Sequence, residues 1–203
     1  MPRQSSLVDE LVCTIEFEPK YRTPDALRGL EGFDYIWLIW GFSLNREQRN
    51  WQATVRPPRL GGNESVGVFA SRSPYRPNPI GLSSVKLVSV DFENCLLTVS
   101  GADLVDGTPI YDIKPYVPYA DSHPDAAAGF VDERKFERLE VIFPDELASE
   151  FSPEDARALK NALSLDPRPQ YTDDPERIYG LEFAGRDVRF TVRGPVLTVC
   201  RIV

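Results

Sequence analysis

Two short stretches hold most of the residues able to do chemistry. Arg72, Arg76 and Asn78 crowd into Ser73–Gly81 and its approach, and Asp103, Asp106, Asp112 and Lys114 follow within a few residues of one another. Arginine forms charge-assisted bonds to carboxylates and phosphates, asparagine both donates and accepts, and aspartate takes hydroxyl or amine protons. The set suits a ligand held without metal by Arg, Asn, Asp and backbone groups on loops between strands. A single histidine (His123) and three scattered cysteines (Cys13, Cys95, Cys200) give no metal spacing. The sequence has no G-x-G-x-x-G, P-loop, G-x-S-x-G or Cys/His pair, which makes dinucleotide, nucleoside-triphosphate and acyl-transfer chemistry poor fits. Nothing singles out a carboxylate pair for glycoside chemistry.

These residues need stiff neighbours. Val66–Ala70, Leu82–Val90 and Cys95–Val99 are short apolar runs rich in β-branched residues, so strands are expected there, with the polar residues on the loops between. Pro74, Pro77 and Pro79 restrict the first loop, so its cations lose little entropy on ordering. Pro57, Pro58 and Gly61-Gly62 make Thr54–Asn63 a rigid arm with a flexible tip that carries Arg56 and Arg59. Asp91–Asn94 is expected to turn a hairpin and Asp106-Gly107 to form a tight turn.

Leu11–Phe17 reads as a strand, Thr23-Pro24 as a helix start, and Phe33–Phe42 as a deeply buried strand whose Trp37 and Trp40 pack in the core. Tyr119–Phe130 is a polar surface stretch with His123 exposed. Leu139–Phe143 reads as a strand, and Ser152-Pro153-Glu154-Asp155 caps a helix in which Ala156, Leu159, Ala162 and Leu163 recur at helical spacing. Asp166–Tyr171 ends it, and strands at Ile178–Phe183, Val188–Val192 and Val196–Ile202 close the chain. The expected organisation is a mainly β domain over residues 1–135 and a small α+β appendage over 136–203.

The 203 residues carry a net charge of −8, which on its own disfavours a nucleic-acid partner. The distribution reverses that. Arg49, Arg56, Arg59, Arg72, Arg76 and Lys86 lie in a stretch with one acid, Glu64, a local +5, so the remainder carries −13 (−8 − 5 = −13). A basic segment in an acidic protein directs a polyanion to one face; the plainer alternative is arginines paired with the surplus carboxylates. With no run near the ~20 residues of a membrane span and no secretory leader, a cytoplasmic, reduced, metal-free protein is expected.

The blocks VRPPRLGGN (Val55–Asn63), GVFASRSPYRPNPIG (Gly67–Gly81) and LVDGTPIYDIKPYVPYADS (Leu104–Ser122) resemble the signature blocks of the TrmO (YaeB-like) tRNA methyltransferases, as do LRGLEGFDYIWLIW (Leu27–Trp40) and DPRPQY (Asp166–Tyr171). The resemblance implies S-adenosylmethionine-dependent N6-methylation of threonylcarbamoyl-adenosine beside the tRNA anticodon. It implies an antiparallel β-barrel rather than a Rossmann sheet, working as a homodimer. By position it implies a cofactor site of Gln4, Ser5, Ser6, Phe42, Ser43, Arg72, Leu82, Asp106, Gly107, Thr108 and Pro109. Arg56, Arg59, Arg76, Asn78 and Lys114 are then candidates to hold RNA phosphates or the threonyl carboxylate, and Asp112 and Tyr116 are candidate proton acceptors. Family members carry a further strand before the Pro-Arg-Gln element, here Pro2-Arg3-Gln4; either the true start lies upstream, which is the expectation, or the barrel lacks a strand. The alternatives are a non-catalytic RNA-binding β-barrel and a methyltransferase acting on another substrate.

Overall fold

The structure, a computed structural model, describes residues 8, 11–43, 51–57, 64–133, 138–168 and 174–203. They gather into two compact units, one drawn from the described residues within 8–55 and 66–126, the other from those within 56–65 and 127–203.

The first unit is built on a five-stranded sheet: β1 (Val12–Glu16), β2 (Tyr35–Gly41), β5 (Ile80–Asp91), β6 (Leu96–Ser100) and β7 (Ile110–Pro115), in the order β1-β6-β5-β2-β7 and antiparallel throughout. A two-stranded ribbon, β3 (Thr54–Val55) with β4 (Val66–Gly67), forms a separate sheet, so the proline- and glycine-rich stretch from Thr54, expected to hold no regular structure, begins as a strand before its prolines. Period-2 alternation decides the faces. Ile36, Leu38 and Trp40 of β2, Val85 and Leu87 of β5, and Leu97 and Val99 of β6 point to one side and are buried with Ile15 and Leu27. Each fully buried aliphatic side chain of this kind contributes roughly 1.5–3 kcal/mol. The opposite face of β2 is partly open, so the strand is buried on one side and not on both. Trp40 lies in the core, whereas Trp37 is half-buried on the other face. Among the described residues the sheet is open, with β1 and β7 at its edges.

The expected helix start is found at α1 (Pro24–Leu27). Thr23 occupies the cap position in extended conformation, but its hydroxyl makes no capping bond. The Val66–Ala70 run departs from the expectation: it is strand only at β4, then a 3-10 turn over Val68–Ala70. Val68 is 1% exposed and Phe69 70% exposed, so the turn anchors one side chain and turns its neighbour out. The hairpin at Asp91–Asn94 forms as expected, with the Asp91 carboxylate accepting from the Glu93 and Asn94 backbone N–H groups and the Asn94 side chain. These bonds hold the Asp91 carboxyl below its ordinary range. After β7 come α2 (Pro118–Asp121) and α3 (Phe130–Glu133), and His123 is exposed.

The second unit has a sheet ordered β8-β11-β10-β9: β8 (Glu140–Ile142), β9 (Tyr179–Phe183), β10 (Arg186–Arg193) and β11 (Val196–Ile202), with β8 parallel to β11. A short α4 (Asp145–Ala148) precedes α5 (Pro153–Ser164). The Ser152 hydroxyl accepts from the Asp155 N–H at 3.0 Å, the expected cap. Leu159 and Leu163 of α5 bury against Val188, Phe190 and Leu197. Asp166 ends the run at φ 51° and holds Arg168 at 2.8 Å.

Candidate functional site

Three strand ends meet where β2 stops. Gly41 pairs with Ile80 at the start of β5, and Trp40 pairs with Ile110 at the start of β7. Beyond the ladder the junction is tied by two prolines that have no N–H and offer only carbonyls. The Pro109 carbonyl accepts from the Gly41 N–H at 3.0 Å, and the Pro79 carbonyl accepts from the Phe42 N–H at 3.1 Å. Residues 42–43, 79–82 and 106–109, far apart in sequence, are therefore brought together at one end of the sheet.

The residues there differ in what they offer. Leu82 is 58% exposed on the face away from the core. Phe42 is half-buried with its ring 4.5 Å from that of Trp40, edge to face, and Ser43 beside it is half-buried. Asp106 and Gly107 are exposed. The Thr108 N–H and Oγ1–H both donate to the Val105 carbonyl, at 3.1 and 2.6 Å, closing the expected tight turn with Gly107 at φ +73°. Open space lies where a Gly107 Cβ would be, so backbone is accessible there to a close ligand. Arg72 is exposed on the loop leading into β5.

Beneath this junction lies a buried chain that sequence reading does not reveal. The Trp40 indole N–H donates to Ser83 Oγ at 3.0 Å, and the Ser83 hydroxyl donates to the Asp103 carboxylate at 2.8 Å. Ser83 is 2% exposed. The chain locks the last core residue of β2 to the segment that begins the Asp106 turn. Gly81 permits it, because a Cβ there would run into the Trp40 indole.

The other candidates spread along the sheet. Asp112, Ile39 and Leu82 form one cross-strand row, so the Asp112 side chain shares a face with Leu82, two strand spacings or roughly 10 Å away. Its Oδ1 accepts from the Ile113 N–H at 2.9 Å. Lys114 pairs with Trp37 two rows further on, on the same face. The Tyr116 N–H donates to the Tyr35 carbonyl, and its ring packs 5.5 Å from that of Trp37. Tyr35 and Gly41 stand at opposite ends of β2, roughly 20 Å apart at strand rise. Within one chain, the register therefore sets Tyr116 well away from the Phe42–Pro109 junction. Trp37 is fixed in turn by the Asp121 carboxylate, which accepts its indole N–H at 3.0 Å and the Val117 N–H at 2.8 Å. Those bonds, the backbone one foremost, with His123 adding a smaller effect, hold the Asp121 carboxyl below its ordinary range.

Arg76 has a different setting from the one expected of a ligand-facing cation. Its Nη1 donates to the Ser71 carbonyl at 2.6 Å and the Val68 carbonyl at 3.3 Å, bracing its own loop. Asn78 is exposed, and its carbonyl accepts from the Ile80 N–H at 2.7 Å. Arg56 is exposed just past β3. Gln4, Ser5, Ser6 and Arg59 lie outside the described residues. Among the described residues no group of three or more His, Cys, Asp or Glu is placed to hold a metal ion, and no helix is long and apolar enough to cross a membrane.

Residues 1–122 match the family described as tRNA-methyltransferase O N-terminal domain, and residues 136–203 match the TrmO C-terminal domain. The chain is 39% identical over 202 residues to the Escherichia coli tRNA (adenine(37)-N6)-methyltransferase, covering 95% of this chain and 86% of that one. It is 44% identical over 162 residues to the protein of the same name from Eikenella corrodens, covering 79% and 91%. A crystal structure of TrmO from Pseudomonas aeruginosa superposes with a TM-score of 0.77 at 31% identity, over 100% of this chain and 89% of that one.

Proposed function

The chain belongs to the TrmO family of tRNA methyltransferases, and from that premise we propose that it methylates N6 of threonylcarbamoyl-adenosine at position 37 of tRNA with S-adenosylmethionine as donor. Residues 1–135 are the cofactor-binding and catalytic domain in this reading, and 136–203 the smaller C-terminal domain. The observation that carries the reading is the junction at the end of β2. There Phe42, packed on the core side against Trp40, Leu82, exposed on the opposite face, and the turn that carries the Asp106 carboxylate and the open backbone at Gly107 come together at one end of the sheet.

That donor set fits the cofactor piece by piece. Phe42 and Leu82 offer apolar surface to an adenine ring, Gly107 offers backbone to the ring's edge, and Asp106 accepts from a hydroxyl or amine. Arg72 offers a charge-assisted bond to a carboxylate. Thr108 is committed to its own turn, so its part is to hold Asp106 and Gly107 in place. When bound, the cofactor supplies an activated methyl group, which leaves positioning and charge management to the protein.

Adenine N6 is a poor nucleophile because its lone pair is delocalised into the ring. Acylation by the carbamoyl group makes its N–H urea-like and more acidic, so a carboxylate suffices to accept that proton. Asp112 is the candidate, because it shares a face with Leu82, and Tyr116 is the weaker one on its distance along β2. Lys114, two residues from Asp112 on the same face, is a cation able to hold the threonyl carboxylate. Arg56, Arg59 and Asn78 are assigned to the RNA backbone, and Arg76 acts by bracing its loop. We propose further that the first domain closes as a β-barrel and that the enzyme is a cytoplasmic homodimer, for which sedimentation at twice the chain mass of 22.9 kDa is the test.

Purified protein, labelled donor and tRNA from cells with or without the threonylcarbamoyl modification test the substrate. A site built for a charged handle rejects the substrate lacking it strongly. Methyl transfer to modified tRNA alone is expected. Comparable transfer to both tRNAs would remove the carboxylate handle and leave a broader adenine-N6 methyltransferase.

A further inference from the structure

Beside the loop that carries Arg72 stands an aromatic pair that the methyl-transfer site does not use, Phe69 from the 3-10 turn and Trp51 from the approach to β3. Phe69 is 70% exposed and Trp51 is 54% exposed, their ring centroids 6.5 Å apart and inclined at 31°. Large aromatic side chains left in water beside each other are costly unless something covers them. Phe69 is not loosely held. It sits in the 3-10 turn anchored by buried Val68, whose N–H donates to the Ala53 carbonyl at 2.9 Å. The Ser71 N–H and hydroxyl both donate to the Val68 carbonyl, at 3.2 and 2.8 Å, and Arg76 spans the Val68 and Ser71 carbonyls. The Arg76 guanidinium carbon then lies 5.7 Å from the Phe69 ring centroid, so the residue stapling the loop also sets a cation beside the ring. A preorganised arginine–aromatic surface is what unpaired nucleobases stack on, whatever their sequence.

We propose that Trp51 and Phe69, the latter positioned by Arg76, form a stacking platform for unpaired anticodon-loop bases that flank the target adenosine. The inference rests on the reading of tRNA as substrate and adds where the loop is gripped. To reach the methyl-transfer site, the target base must leave the loop's own stack, which strips its neighbours of a stacking partner. The platform replaces that partner. Its Phe69 leads into the loop that runs through Arg72 to Pro79, whose carbonyl holds Phe42.

Charge favours RNA over a second copy of this chain. Within residues 51–55 and 66–90, all in the first unit, Arg72, Arg76 and Lys86 stand with no acid, a local +3 in a chain of −8, which leaves −11 elsewhere (−8 − 3 = −11). A polyanion is attracted there, whereas this patch packed against itself across a two-fold axis would oppose like charges.

The test uses full-length protein and a threonylcarbamoylated anticodon stem-loop with 2-aminopurine immediately 3′ of the target adenosine. Wild-type protein is expected to quench 2-aminopurine on binding. Trp51→Ala/Phe69→Ala should abolish the quench and raise KM for RNA by roughly 5- to 100-fold with S-adenosylmethionine affinity unchanged. Phe69→Trp should keep the quench, and Phe69→Leu, equally apolar but without a π face, should lose it. A double variant with wild-type quench and KM overturns the platform while leaving methyl transfer intact. So does one that changes only the sedimenting mass, because the pair then covers a second copy. Failure of wild-type protein to bind or methylate any tRNA would instead remove the substrate reading on which the platform stands.

Discussion

Replacing Ser83 by alanine removes one oxygen from a site that is 2% exposed and breaks two hydrogen bonds. The Trp40 indole N–H loses its acceptor at 3.0 Å in a place water does not reach, and the Asp103 carboxylate loses a donor at 2.8 Å. A buried donor left unsatisfied costs about 1–3 kcal/mol. Asp103 is half-buried, so water compensates part of its loss, and that bond adds about 0.5–1.5 kcal/mol. The sum, roughly 1.5–4.5 kcal/mol, is large beside the ~5–15 kcal/mol of a typical folded chain. Urea unfolding followed by tryptophan emission suits the measurement, because Trp37, Trp40 and Trp51 are the chain's three tryptophans and all lie in the first unit. A second background isolates the orphaned donor. In Trp40→Phe the indole N–H is already gone, so Ser83→Ala should cost about 1–3 kcal/mol less there. A cost below about 0.5 kcal/mol in the parent, or the same cost in both backgrounds, would refute the reasoning.

Arg72→Ala should weaken S-adenosylmethionine binding roughly 10- to 100-fold, the worth of a charged hydrogen bond; equal affinities by calorimetry would remove Arg72 from the site. Gly81→Ala forces a Cβ into the Trp40 indole, which the Ser83 bond prevents from swinging away. It should therefore cost about 1–3 kcal/mol or more, and an unchanged urea midpoint would contradict that packing. The folded Asp121 carboxyl lies below its ordinary value, so its stabilising effect is complete above the unfolded value of ~3.9 and is lost as pH falls through the lower folded value. Acid titration should show a tryptophan-emission step below about pH 4 as the Trp37 bond weakens. Persistence of that step in Asp121→Asn would assign it to another group.

The strands were legible where hydrophobic pattern and turn chemistry agreed. Leu82–Val90 anticipated β5, Cys95–Val99 anticipated β6, and Asp106-Gly107 marked the tight turn. Ser152 and the apolar spacing of Leu159, Ala162 and Leu163 located α5 with its cap. Phe33–Phe42 misled on burial, since an aromatic run reads as buried on both faces while the sheet covers only one. Val66–Ala70 misled on conformation: a β-branched start pointed to a strand, and the 3-10 turn there depends on the tertiary bond from Val68 to Ala53. The junction at the end of β2 needed register, which sequence does not supply. Ser83 lies 43 residues from Trp40 and 20 from Asp103, and a serine inside an apolar strand was its only trace. The charge of Arg76 is legible in the sequence, whereas its bonds to the Val68 and Ser71 carbonyls depend on the folded loop. Trp51 has a trace in its polar neighbours Asn50 and Gln52, whereas Phe69 lies inside the apolar run Val66–Ala70, where nothing marks it as turned outward.

The central claim is that this chain methylates N6 of threonylcarbamoyl-adenosine in tRNA. Liquid chromatography–mass spectrometry of tRNA nucleosides from cells with and without the protein tests it most directly. The account predicts that the N6-methylated form of threonylcarbamoyl-adenosine disappears without the protein, that the unmethylated parent accumulates in its place, and that the wild-type chain restores it. An unchanged nucleoside profile, or loss of a methyl group from a different nucleoside, would contradict it.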